Sequence, residues 1–119
     1  MTRLVLASAA LGAIVAIPSW AQEQAPNRRD ITITARGHQF FPNRIDVTRD
    51  DLVRITLRSE DVPYGFAIDA YRVMKRVAGG QTITFEFRAD QAGTFPFYCN
   101  LSADDRCAAM RGTLVVRPQ

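Results

Sequence analysis

Gly93-Thr94-Phe95-Pro96-Phe97-Tyr98-Cys99, then Asn100-Leu101-Ser102-Ala103-Asp104-Asp105-Arg106-Cys107-Ala108-Ala109-Met110, then Arg111-Gly112-Thr113-Leu114-Val115-Val116, reads as strand, loop, strand. In the first strand Phe95, Phe97 and Cys99 share a parity, so Cys99 is expected to point into the core at the strand's end. The loop also carries Cys107 and ends on Met110, so three sulfur side chains lie on one short connection. Thiolate and thioether are soft donors that suit copper. The two cysteines can equally pair with each other. The residues alone leave both readings open.

Upstream of this loop the chain repeats a period of two. Ile31 and Ile33 alternate with Thr32 and Thr34; Val53, Ile55 and Leu57 with Arg54, Thr56 and Arg58; Ile83, Phe85 and Phe87 with Thr84, Glu86 and Arg88. Each run is a half-buried strand with one wet face. Pro42-Asn43, Arg49-Asp50-Asp51, Gly79-Gly80 and Ala92-Gly93 punctuate the runs as turns. No long amphipathic helix interrupts them. About seven short strands in a chain of this size predict an all-β, two-sheet antiparallel sandwich of Greek-key type.

The N-terminus has a different character. Arg3 is followed by an uncharged apolar run from Leu4 to Ile17, and Ser19 and Ala21 suit signal peptidase. Residues 1–21 are therefore expected to be a secretory signal peptide, and the run falls short of the roughly 20 residues that span a bilayer. Residues 22–29 are polar and aperiodic and read as a flexible leader; residues 30–119 read as one domain. A periplasmic or secreted protein with no membrane span after cleavage is the expectation, and export favours cysteine oxidation.

The 119 residues carry 15 Lys and Arg against 12 Asp and Glu. Loss of Arg3 with the signal lowers the net charge of +3 by one. The basic residues, all arginine except Lys75, are scattered among acids, without the dense stripe of a nucleic-acid surface. A single histidine, no Cys-x-x-Cys pair and no phosphate-cradling glycine loop leave no catalytic constellation, so an enzyme is not expected.

From Ile31 to Val116 the chain resembles the cupredoxins, the copper-binding Greek-key sandwiches. The resemblance rests on Phe40-Phe41-Pro42 with Ile45-Asp46-Val47, on Asp61-Val62-Pro63-Tyr64-Gly65-Phe66-Ala67-Ile68, and on Gly93-Thr94-Phe95 through Cys99 and Met110 to Val116. By pattern it is similar to the copper domain of cytochrome oxidase subunit II and to red-copper proteins such as nitrosocyanin. The resemblance implies copper as cofactor, electron transfer or copper handling as function, a redox partner protein and a monomeric state.

The ligand set departs from that pattern. Tyr64 stands where many members have His and the red-copper type has Glu; Cys99 matches the thiolate position. Ser102 stands where blue- and red-copper proteins have His. In the dinuclear oxidase frame Ala103 replaces the second Cys, Cys107 replaces His, and Met110 matches the Met. A dinuclear centre is thus not expected. The resemblance leaves Cys99, Cys107, Met110 and Tyr64 as the metal-ligand candidates, against a Cys99–Cys107 disulfide in a metal-free binding or accessory module. For Tyr64 a hydroxyl-bonded core or rim aromatic is the plainer reading, because a neutral phenol is a poor copper ligand. Met110 reads equally as a gap-filling core residue, His38 as a surface or capping residue, and Glu60 and Asp61 as a solvated loop tip.

Overall fold

The computed structural model describes residues 27–119. The expected signal peptide and most of the leader lie outside the described residues. Nine strands form two sheets: β1 (Arg28–Arg36), β2 (Gln39–Phe41), β3 (Arg44–Thr48), β4 (Leu52–Ser59), β5 (Tyr64–Ile68), β6 (Val73–Val77), β7 (Thr82–Arg88), β8 (Gly93–Tyr98) and β9 (Arg111–Arg117). One sheet has the order β2-β1-β4-β7, the other β3-β9-β8-β5-β6. Short 3-10 turns at Asp69–Tyr71 and Cys107–Ala109 are the helical pieces among the described residues.

The sandwich stands as expected, with three corrections. First, there are nine strands rather than about seven. β2 is only three residues long, too short to show a period. In β6 three successive residues between Val73 and Val77 are exposed, which hides the alternation. Second, the sheets are mixed. β1 runs parallel to β4, from Arg28 opposite Leu52 to Ala35 opposite Ser59, and β3 runs parallel to β9. The chain leaves the first sheet after β2, contributes β3 to the second, and returns with β4 beside β1. Third, Arg28 and Arg29, placed in the leader, belong to β1. Pairing with Leu52 and Val53 holds them, and the Leu52 N–H donates to the Asn27 carbonyl at 2.8 Å.

The core follows the alternation. Ile33, Ala35, Val53, Ile55 and Leu57 from one sheet meet Ile45, Val47, Phe66, Ile68, Phe97, Leu114 and Val116 from the other. Phe40, Phe66 and Phe97 form an aromatic knot with centroid separations of 5.1 to 5.7 Å. Burying each such ring is worth roughly 1.5–3 kcal/mol. β5 is the exception to one-sided burial, since all five of its residues are buried. Its outward side is covered at Gly65 by Asn100, the residue that follows Cys99. That cover starts the sulfur-bearing loop.

Candidate functional site

Four segments converge at one end of the sandwich: the β1–β2 turn, the β4–β5 loop, the start of β5, and the loop from Cys99 to Met110. The turn Gly37-His38 has positive φ at both residues, 56° and 58°, the geometry of a two-residue type I′ hairpin whose twist matches its strands. It lifts His38 over the core's rim.

The sulfur loop leaves β8 with its ladder intact, as the Cys99 N–H donates to the Met110 carbonyl at 3.2 Å. It then coils back on itself. The Cys107 N–H donates to the Asp104 carbonyl and the Met110 N–H to the Cys107 carbonyl, each at 3.0 Å. This brings the Cα atoms of Cys99 and Cys107 to 5.2 Å, and their sulfurs are joined as a disulfide. Cys99, Cys107 and Met110 are all buried. Closure of so small a loop contributes roughly 2–3 kcal/mol by restricting the unfolded chain. Each sulfur also accepts a backbone N–H, Cys99 Sγ from Gly65 at 3.3 Å and Cys107 Sγ from Leu101 at 3.1 Å.

Tyr64 is fully buried, as the core reading expects. Its hydroxyl donates to Asp61 Oδ1 at 2.7 Å and accepts the His38 backbone N–H at 3.1 Å. Burial, reinforced by the bonded Asp61 carboxylate, pushes the phenol above its ordinary value. Two readings are corrected. Asp61 is more than a solvated tip, because it also accepts the Gly37 N–H at 2.8 Å and the Val62 N–H at 2.7 Å. Those bonds, the Gly37 amide first, hold its carboxyl below the usual range. His38 is no loose surface residue. Its side chain is 12% exposed, its ring meets Tyr64 edge-on at 5.5 Å, and Nε2 lies 2.7 Å from Asp104 Oδ2. That bond holds the Asp104 carboxyl low.

Sequence reasoning named Cys99, Cys107, Met110 and Tyr64, all of which lie in the one buried core cluster, but not the links through Asp61 and Asp104. The Gly37-His38 pair between two strand patterns was a hairpin signal. Nothing local tied residue 38 to residue 104.

The donor set does not fit a copper ion in this form of the protein. A disulfide offers no thiolate, the Tyr64 hydroxyl is held by Asp61 and His38, and His38 Nε2 is engaged by Asp104. Among the described residues no three His, Cys, Asp or Glu side chains are grouped to hold a metal.

Comparison with known proteins gives a match of residues 7–116 to the family model described as a cupredoxin-like domain. Among solved structures, the chain is similar to a chain of a haem-copper terminal oxidase dimer, with TM-score 0.70 and 20% identity over 80% of this chain and 67% of that one. It is similar to auracyanin A, a blue copper protein from Chloroflexus aurantiacus, with TM-score 0.64 and 18% identity over 76% of this chain and 100% of that one. A copper nitrite reductase from Nitrosomonas europaea matches with TM-score 0.63 and 19% identity over 78% of this chain, which spans 42% of that one. Likeness at these identities concerns the fold.

Proposed function

The chain belongs to the cupredoxin-like domain family, and on that premise we propose that it is an exported, non-catalytic binding or accessory module in which a disulfide takes the place of the copper centre. The observation that carries this reading is the Cys99–Cys107 bond, at the position where the family pattern has its thiolate ligand. The Tyr64 hydroxyl supports it by closing the opposite side with a protein-internal hydrogen bond. Cys99 and Cys107 act as a staple, Met110 packs beneath them, and the sandwich presents its loops and edges to a partner protein. The predicted signal peptide supports a periplasmic or secreted location, and the module acts as a monomer. Protein isolated from the exported fraction should have an intact mass two hydrogens below the reduced value, with no thiol accessible to alkylation after denaturation. Two free thiols with bound copper would overturn the reading.

A second reading, copper handling or electron transfer by the reduced protein, is favoured by one observation. Both sulfurs lie under backbone N–H groups, and the backbone of Met110 bonds to Cys99 and to Cys107. Reduction by a dithiol would leave two thiols beside a thioether, donors that suit Cu(I). Fully reduced, chelator-treated protein that keeps no copper after equilibration with Cu(I) removes this reading.

A further inference from the structure

Beside the staple, the β2–β3 connection and the start of β9 enclose a surface groove of about 460 Å³. Phe41, Pro42 and Ala109 share its lining with His38 and Gln39, and Arg44 and Arg111 add two guanidinium groups. A second depression continues from it, sharing Asn43, Arg44 and Arg111 and ending on Gly112 and Thr113. Together they form one trough with a mixed apolar and polar stretch, then a cationic one, then a polar one. The connection can lie this close to β9 because Gly112 has no side chain. A Cβ there would overlap the Phe97 ring and stand 2.7 Å from the Asn43 carbonyl oxygen.

The charge in the trough is only partly compensated. Arg111 is exposed, and among the described residues no carboxylate lies within ion-pair distance of it; its guanidinium stands 6.0 Å from the centroid of the Tyr98 ring. Arg44 pairs with Asp46, but Asp46 is shared with Arg117, and Arg29 bonds its backbone carbonyl. The Asp46 carboxylate is therefore divided between two guanidinium groups, those of Arg44 and Arg117. At the other end from the arginines Phe41 is 41% exposed. Arg36 stands 4.7 Å from its ring centroid.

We propose that this trough is a docking site for an extended acidic peptide segment of a partner protein, with an apolar side chain against Phe41 and Pro42 and the following carboxylates on Arg111 and Arg44. Two features select a peptide over a compact ligand: the trough is open and elongated, and its apolar and cationic parts follow one another along it. A planar guanidinium binds a carboxylate through paired N–H donors, which gives the site its register. This inference deepens the binding-module reading and rests on it.

The test uses the full chain, oxidised and chelator-treated, with fluorescein-labelled capped pentapeptides in which phenylalanine, leucine or tryptophan precedes two aspartates. Saturable anisotropy is expected for at least one peptide below about 1 mM. The expected loss is about tenfold when the aspartates are replaced by asparagine, about tenfold in Arg111→Gln, and several-fold in Phe41→Ala, with Arg54→Gln on β4, outside the trough, unchanged. Amide NMR shifts on titration should concentrate at residues 40–44 and 109–113. No saturation with any peptide overturns the proposal, and so does binding indifferent to Arg111→Gln. Equal Arg111-dependent binding of duplex DNA or of anionic phospholipid vesicles overturns the peptide assignment. Thiol and copper content of the same sample separate the two failures. Peptide failure with an intact staple defeats the trough alone, whereas free thiols with copper defeat the module reading whatever the peptides do.

Discussion

Tyr64 ties the β1–β2 turn to the β4–β5 loop through a single hydroxyl. Its hydroxyl fills a hydrogen-bonding position between Asp61 and the His38 amide, so Tyr64→Phe leaves a carboxylate oxygen and an N–H without that partner. Loss of about 1–2 kcal/mol is expected, read as a lower urea midpoint at unchanged m-value. Gly65 carries a different constraint. A Cβ there would overlap the Asn100 side chain and stand 2.9 Å from the Asn100 backbone nitrogen, so Gly65→Ala should displace the sulfur loop and destabilise by about 1–3 kcal/mol. The two acids give a pH dependence. Asp61 and Asp104 both have folded-state values below the ordinary carboxylate value, Asp61 through the Gly37 amide and Asp104 through His38. Their stabilisation is fully present above the unfolded value, about 4, and is lost as pH falls through the lower folded value. Asp61→Asn should flatten that acid limb in urea melts between about pH 5 and pH 2; an unchanged limb would refute the assignment.

Among the elements, the loop from Cys99 to Met110 has the most to lose by substitution. Cys107→Ser removes the staple, and the unfolded chain regains its loop freedom, so stability should fall by roughly 2–3 kcal/mol. Cys107→His restores the histidine of the oxidase frame, yet under the staple reading it should lose the same stability and bind no copper. Metal analysis of the purified variant checks this, and copper retained at one ion per chain would favour the second reading. The strands were largely legible beforehand, because β4 and β7 keep strict alternation with Val53, Ile55, Leu57, Phe85 and Phe87 buried. β6 was not, since a strand whose three central residues are all exposed offers no periodic signal. In the loop the sequence marked Cys99, Cys107 and Met110 as candidates. It put the copper ligand first and kept the staple as the alternative, because spacing does not reveal how far a connection coils back.

At the scale of the whole molecule, the sandwich and its staple are separable. The core of Ile33, Val53, Ile55, Phe66, Phe97 and Leu114 is assembled between the sheets, whereas the disulfide spans only the terminal loop. Hydrogen exchange of the dithiol-reduced protein should therefore speed up at amides 99–110 and remain slow at 53–57 and 66–68. Acceleration across both regions would show that the staple supports the entire fold. The alternation of β-branched and aromatic residues with polar ones, and the turn residues between them, determined by themselves that this chain forms a two-sheet β-sandwich. A period of two leaves each strand a single face to bury, and two such faces must meet. Only the tertiary structure decided the parallel pairings of β1 with β4 and β3 with β9, the bond between Cys99 and Cys107, and the meeting of His38, Asp61, Tyr64 and Asp104. These depend on which way the chain crosses between sheets and how tightly a loop turns, and both are settled by packing between residues far apart in sequence.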